Sequence, residues 1–176
     1  MPALHVKYAT AMLLIICCLP TSALGQERTA TPPAQAQELA RPKYLRKTDA
    51  PIQIDQALLE AAHTGRNVML VVGGEWCPWC ETLHRFFEQQ PELAQISEHN
   101  FVTVHVYYGS DDKNENALAR YPKVLSVPHF FVLSQKGMLL DSKPMEELED
   151  ASKPSVAKFR EFLMKWTSAA ANHAAK

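Results

Sequence analysis

The chain has 176 residues, of which 47% are apolar and 21% are charged, and this length suits one domain with additional segments at its ends. Those fractions are typical of a globular protein, which excludes a fully disordered chain, a collagen and a multi-span membrane protein. The formal net charge of −1 argues against nucleic-acid binding, since affinity for that polymer depends largely on clustered cationic side chains.

The first segment has the features of a secretory signal peptide. Lys7 precedes an apolar run over residues 11–19, which is too short to cross the hydrocarbon layer of a bilayer. Ala23 and Gly25 provide the small residues expected at a cleavage site. We predict that residues 1–25 are a signal peptide, with an uncleaved membrane anchor as the alternative. Both predictions place the remainder in the periplasm or outside the cell.

Composition divides the rest of the chain into three segments. Residues 26–50 are rich in Pro, Ala and Gln and cannot bury enough apolar surface to offset chain entropy, so they are predicted to form a flexible leader. The folded domain is predicted over residues 51–168, followed by a C-terminal tail over residues 169–176.

The first half of that domain alternates helix and strand patterns. Asp55 is predicted as the N-cap of a helix that ends at Gly65. The apolar run at 68–72 predicts a strand buried on both faces. A second helix is predicted to begin near Cys77 and to end before Pro91. Further patterns predict a short helix over residues 92–99 and a strand over residues 101–108.

The polar segment that follows contains part of a calcium-loop pattern. It matches the first oxygen ligands of such a loop at Asp112, Asn114 and Asn116. However, Ala117 replaces the glycine that the loop requires, and Lys123 replaces its bidentate glutamate. We therefore interpret residues 109–116 as a solvated loop, with a calcium site as the weaker alternative.

The last part of the domain predicts a hairpin and a final helix. After a short helix through Ala119, residues 129–133 and 138–140 form two apolar strands around a turn. The acidic segment at 146–150 is interpreted as solvated surface, and an amphipathic helix is predicted to open at Pro154 or Ser155. The alternation of these elements predicts an α/β fold, with a mixed central sheet and helices on both faces.

After signal cleavage the chain retains two cysteines, Cys77 and Cys80. A disulfide that closes so short a loop restricts the unfolded chain very little, so a structural disulfide is a poor explanation. Haem attachment would need His where Glu81 stands. Zinc or copper would need further ligands, for which the candidates are His84, His105 and His129, although lone histidines are more often structural.

The position of the pair favours redox chemistry. It follows a predicted buried strand and opens a helix, where unpaired backbone N–H groups and the helix dipole favour a thiolate. Two cysteines at this spacing can attack a substrate disulfide and then resolve the mixed disulfide. We assign Cys77 as the nucleophile and Cys80 as the buried resolving thiol. The Cys77–Cys80 pair is then itself the redox centre, and no other cofactor or metal is required.

Residues 52–167 resemble the thioredoxin-like superfamily. The resemblance rests on the strand before Glu75-Trp76-Cys77-Pro78-Trp79-Cys80, on Val127-Pro128 before a later strand, and on the Lys136-Gly137 turn. Secreted, reductase-type domains of that superfamily are similar in pattern, since they also carry an amphipathic helix and an apolar strand ahead of Trp-Cys-x-x-Cys. The resemblance implies a thioredoxin fold.

The resemblance also implies where a substrate binds. In that family the proline that matches Pro128 has a cis peptide bond and lies against the cysteine pair, and its neighbouring backbone pairs with the substrate. A trans proline at the start of an edge strand is the alternative. Trp76 is expected to pack beside the nucleophile, where an ordinary core aromatic is the alternative. The predicted substrate-binding residues are Trp76, Pro78, Trp79, Val127 and Pro128.

One position departs from the family pattern. Thioredoxins bury an acidic residue beneath the pair, six residues before the first cysteine, and that residue here is Val71. Glu75, expected in an exposed turn, His84, and His105, expected on the solvent-facing side of a strand, are nearby titratable groups. The sequence leaves open which group handles the proton of Cys80.

These features predict an extracytoplasmic thiol–disulfide oxidoreductase. It would reduce or exchange disulfides of secreted proteins and draw electrons from a membrane or periplasmic thiol donor. Trp79 stands where the strongly oxidising periplasmic oxidase of this fold has His, so we expect a reducing couple within about −270 to −180 mV. The alternatives are a periplasmic metal-delivery protein that uses the same cysteines, and a thioredoxin-like binding or chaperone module.

Overall fold

The computed structural model describes residues 43–46 and 49–167. The predicted signal peptide at residues 1–25 and the predicted tail at residues 169–176 lie outside the described residues. None of the helices in the described part is both long and apolar enough to span a membrane. The elements, in chain order, are α1 (Ala50–Thr64), β1 (Asn67–Gly73), α2 (Pro78–Gln89), α3 (Pro91–Asn100), β2 (Phe101–Tyr107), α4 (Glu115–Leu118), β3 (His129–Leu133), β4 (Leu139–Pro144), a 3-10 helix (Met145–Leu148), β5 (Glu149–Asp150), β6 (Lys153–Pro154) and α5 (Val156–Lys165).

Four strands form one mixed sheet in the order β2-β1-β3-β4. β1 pairs with β2 in parallel, with Val71 opposite His105, and with β3 in antiparallel orientation, with Val71 opposite Phe130. β3 and β4 form the predicted antiparallel hairpin. The parallel pair requires a crossover, and α2 and α3 supply it.

β1 is buried along its whole length, as predicted, and separates two apolar clusters. Val68, Leu70 and Val72 contribute to the cluster that includes α1 and α4. Met69 and Val71 contribute to the cluster that includes α2, α3 and α5. This division follows from the alternation of side chains along a strand. Helices cover both faces of the sheet, which confirms the predicted α/β thioredoxin fold.

Helix α1 begins earlier than the sequence pattern predicted. Its N-cap is Asp49, and Pro51 lies in its first turn, where the missing N–H of proline costs no helical hydrogen bond. Asp55, predicted as the N-cap, is an exposed residue inside the helix. The predicted end is correct, because Gly65 adopts a left-handed conformation (φ 74°) and its N–H donates to the Ala61 carbonyl.

The end of the predicted flexible leader is part of the folded sheet. The Leu45 N–H donates to the His105 carbonyl at 2.8 Å, and the Leu45 carbonyl accepts the Tyr107 N–H at 2.9 Å, so Leu45 forms a parallel bridge beside β2. Tyr44 is buried, with an exposed fraction of 6%. The composition of the leader gave no indication of this packing, since the apolar side chains involved are few.

The acidic segment at 146–150 is only partly the solvated surface that was predicted. Met145 and Leu148 are buried in the second apolar cluster from a 3-10 turn, and β5 and β6 then form a short antiparallel pair. Ser155 caps α5 as predicted, because its hydroxyl oxygen accepts the Lys158 N–H.

Candidate active site

Cys77 is the N-cap residue of α2, and its sulfur accepts the backbone N–H of Cys80 at 3.2 Å. Both cysteines are free thiols. They are almost equally buried, with exposed fractions of 4% for Cys77 and 5% for Cys80. The sequence pattern predicts burial of Cys80 alone, so Cys77 presents a smaller surface to a substrate than expected.

The helix start changes the acidity of the two thiols in opposite directions. A hydrogen bond from the Cys80 side chain, opposed by burial and reinforced by the backbone N–H groups of Cys80 and Trp79, lowers the pKa of Cys77 to about 7. The same shared hydrogen bond raises the pKa of Cys80, and burial raises it further. Cys77 is therefore the thiol that ionises first, while Cys80 keeps its proton.

The loop that carries Val127 and Pro128 lies next to this pair. The thiol of Cys77 points to the Val127 carbonyl oxygen at 3.9 Å. The Val127–Pro128 peptide bond is cis, as the family resemblance led us to expect. The structure thus brings together residues that are separated by 50 positions in the chain.

Three of the residues predicted to bind substrate lie next to the cysteines in the sequence. Trp76 is 54% exposed, and Pro78 is an exposed residue in the first turn of α2. Trp79 is partly buried and packs against both cysteines as well as the second apolar cluster. Trp76 is therefore not a core aromatic, and its ring lies against Gly74.

Tyr44 is a residue of this site that the sequence analysis missed. It belongs to the same buried cluster as Cys77 and Cys80, and its backbone N–H donates to Oε1 of Glu75 at 3.3 Å. Its hydroxyl oxygen and the Cys80 sulfur lie against the same residue, Gly73, where a β-carbon would be 3.4 Å from the oxygen and 2.5 Å from the sulfur. Tyr44 precedes Cys77 by more than 30 positions and lies in a Pro- and Ala-rich segment, so no local pattern signalled its role.

A cavity of about 280 Å³ adjoins Cys80 on the side of α2 and α3. Val71, at the position of the family's buried acid, lines it together with His84 and His105. His105 is not the solvent-facing residue that was predicted, because its ring packs edge-on against Tyr44 with centroids 5.3 Å apart. Burial, with a contribution from His84, lowers the pKa of His105 to about 4.

The histidines considered as metal ligands do not converge on the cysteines. His84 and His105 line the cavity beside Cys80, whereas His129 is buried in β3 and its Nε2 lies 2.9 Å from the Ser142 hydroxyl. Asn114, considered as a calcium ligand, donates to the carbonyls of Leu45 and Tyr107. Residues 43–46 and 49–167 contain no group of three His, Cys, Asp or Glu side chains that could hold a metal ion.

Comparisons with known proteins agree with this geometry. A thioredoxin-like family model matches residues 49–134, which include both cysteines and the cis-proline loop. No curated protein matches the sequence.

Two solved structures share the fold. A disulphide isomerase from Xylella fastidiosa Temecula1 is 24% identical with a TM-score of 0.61, and the alignment covers 72% of this chain and 97% of that one. The C-terminal domain of Neisseria meningitidis DsbD in its oxidised form is 20% identical with a TM-score of 0.52, over 70% of this chain and 98% of that one. At these identities the likeness establishes the fold.

Proposed function

Since the chain belongs to the thioredoxin-like superfamily, we propose that it is a thiol–disulfide oxidoreductase that reduces or exchanges disulfides of secreted proteins. The observation that carries this proposal is the N–H of Cys80 directed at the Cys77 sulfur at 3.2 Å, at the first turn of a helix. A thiolate at that position is stabilised without any other cofactor.

The proposed reaction begins at Cys77. Its thiolate attacks one sulfur of a substrate disulfide, the substrate S–S bond breaks, and one substrate sulfur leaves as a thiolate that takes up a proton. Cys80 then loses its proton to solvent and attacks the Cys77 sulfur. The protein disulfide forms, the second substrate sulfur leaves, and the substrate has gained two electrons and two protons.

The substrate is proposed to bind along the cis-proline loop. Because Cys77 is buried, a substrate disulfide must fit closely between Trp76 and the Val127 carbonyl, which is already within 3.9 Å of the sulfur. An extended peptide beside this loop can use the loop backbone for hydrogen bonds. Pro78, Trp79 and Pro128 complete the proposed contact surface.

The proposed compartment is the periplasm or the cell exterior. The apolar run at 11–19 and the small residues before position 26 support export of the chain. In that location the oxidised Cys77–Cys80 pair is proposed to be reduced again by a membrane-bound or periplasmic dithiol.

Trapping the mixed disulfide tests the proposal. In a Cys80→Ser variant, the intermediate with a disulfide substrate such as insulin cannot be resolved, so a covalent adduct through Cys77 should accumulate on non-reducing gels. The matched Cys77→Ser variant should form no adduct, and the unaltered protein should reduce insulin in the presence of a dithiol.

Two other outcomes would each indicate a different function for this protein. Full activity in a double Cys→Ser variant would indicate a binding or chaperone module. Stoichiometric copper or zinc held by the reduced protein, without adducts, would indicate metal delivery. Either result would contradict the proposed thiol–disulfide oxidoreductase activity.

A further inference from the structure

Tyr44 and Cys80 meet at the same point of β1. A β-carbon at Gly73 would lie 2.5 Å from the Cys80 sulfur and 3.4 Å from the Tyr44 hydroxyl oxygen. Both groups therefore lie against the same side of the Gly73 backbone, and the two side chains interact electrostatically. Tyr44 also lines both of the cavities that adjoin Cys80.

The chain holds Tyr44 in this position through contacts of the two residues that follow it. Arg46 lies over the ring of Tyr107 at 3.8 Å and forms an ion pair with Asp111 at 2.9 Å. Asn114, fully buried, donates to the Leu45 carbonyl at 2.8 Å. Three consecutive residues, 44–46, thus contact β2 and the loop that follows it.

We propose that Tyr44 is the hydrogen-bond donor that stabilises the Cys80 thiolate during resolution of the mixed disulfide, a role that rests on the proposed function. Tyr44 would supply the polar group beside Cys80 that the apolar side chain of Val71 cannot supply. Glu75, the carboxylate that precedes the cysteine pair, is exposed and accepts the Tyr44 backbone N–H.

Resolution of the mixed disulfide begins with the loss of the Cys80 proton. Once Cys77 is bonded to the substrate sulfur, Cys80 releases its proton to solvent, and the Tyr44 hydroxyl donates its hydrogen bond to the new thiolate. The electron pair of Cys80 forms the bond to the Cys77 sulfur while the bond from Cys77 to the substrate sulfur breaks. The leaving thiolate takes a proton from solvent, and Tyr44 keeps its own proton throughout.

The state of the phenol supports a donor role. Burial, together with the neighbouring thiols and Glu75, raises the pKa of Tyr44 well above its usual value of 10, so the hydroxyl keeps its proton near neutral pH and can donate. In the reduced protein the Cys77 side chain and burial raise the pKa of Cys80, whereas the Gly74 backbone and, to a smaller extent, the Tyr44 side chain lower it. When Cys77 is bonded to the substrate in the mixed disulfide, its thiol no longer raises the pKa of Cys80.

A Tyr44→Phe variant, which keeps the ring and removes the hydroxyl, tests the proposal. The reduced protein is mixed with dithiobis(nitrobenzoate), and stopped-flow absorbance follows release of the coloured thiolate. The first release reports attack by Cys77, and the second reports resolution by Cys80. A hydrogen bond to a charged group shifts an equilibrium about tenfold or more, but a more basic thiolate is also a better nucleophile, with a Brønsted coefficient of about 0.4–0.5.

We therefore expect the second release to be about three- to tenfold slower near pH 7 in Tyr44→Phe. Its pH midpoint should be higher, and the first release should be unchanged. Tyr121→Phe is the matched control, since the Tyr121 ring stacks on Phe131 in the apolar cluster that includes α1 and α4. Both thiolate releases of this variant should match those of the unaltered protein.

The outcomes separate this proposal from the proposed function. If the unaltered protein gives no first release, the oxidoreductase itself is contradicted. If the first release is present and Tyr44→Phe leaves the rate and pH midpoint of the second unchanged, Tyr44 has no role in resolution. Equal slowing of both releases would show that the variant disturbs the site as a whole, and that result also overturns the proposal.

Discussion

Gly73 lies against Cys80 so closely that a β-carbon at residue 73 would be 2.5 Å from the Cys80 sulfur. A methyl group cannot occupy that space unless the sulfur moves, and overpacking of this kind costs about 1–3 kcal/mol. We expect Gly73→Ala to lower the free energy of unfolding by that amount, measured by urea denaturation, and to slow the second thiolate release.

Gly65→Ala is the control for this substitution. Its β-carbon would meet no atom within 4 Å, and its cost comes from the left-handed backbone, φ 74°, at about 1 kcal/mol. It should lower stability without altering either thiolate release. A Gly73→Ala protein with the stability and kinetics of the unaltered chain would contradict the close packing.

The acidity of Cys77 can be measured directly. Only the thiolate reacts with iodoacetamide, so the alkylation rate should rise with pH through a midpoint near the Cys77 pKa of about 7. Because the largest cause of the lowered pKa is the hydrogen bond from the Cys80 side chain, Cys80→Ala should move that midpoint upward. A midpoint like that of free cysteine, about 8.5, in the unaltered protein would remove the basis for assigning Cys77 as the nucleophile.

His105 makes the stability of the protein depend on pH. Its pKa is lowered from 6.5 to about 4 in the folded state, so the unfolded chain binds a proton at this residue between those two values and the folded chain does not. The stabilisation is present above about pH 6.5 and is lost as the pH falls toward about 4. Urea denaturation at a series of pH values measures it.

His105→Phe, which keeps a ring against Tyr44, should flatten this dependence. The exposed His99 at the end of α3 provides the control, and His99→Gln should keep the slope of the unaltered protein. An equal slope in His105→Phe and the unaltered protein would rule out His105 as the source.

The reduction potential of the Cys77–Cys80 pair should lie within about −270 to −180 mV. It is measured by equilibration with glutathione or dithiothreitol buffers and separation of the two redox forms after alkylation. Trp79→His introduces a cationic group between the cysteines, which stabilises the thiolate and should make the couple more oxidising, whereas Trp79→Phe should change it less. A potential near −120 mV, that of a strong oxidant, is incompatible with a reductase.

Local patterns correctly predicted the elements whose structure depends on residues that are close together in the sequence. The apolar run at 68–72 became the central strand, and Cys77-Pro78 opens α2 because proline suits a first helical turn. Asp55 was wrongly predicted as the N-cap, because both Asp49 and Asp55 are residues of a type that can cap a helix. The helix begins at Ala50 because Ala50 and Ile54 are buried in the core.

The parts that were missed depend on contacts between distant residues. Tyr44 and His105 pack together only because Leu45 bridges β2, and nothing in either local sequence indicates that pairing. Met145 and Leu148 are buried from an acidic segment in which charged residues dominate the composition. In both cases a few apolar side chains determined the packing, while average composition determined the prediction.

The two sulfurs of the active site have different surroundings. Cys77 lies beside the Val127 carbonyl, whereas Cys80 borders a cavity that reaches the exposed residues Glu88 and Glu98 between α2 and α3. A small oxidant that enters this cavity would therefore reach Cys80 rather than Cys77. Oxidation of Cys80 by that reagent would consume the resolving thiol and leave the mixed disulfide at Cys77 in place.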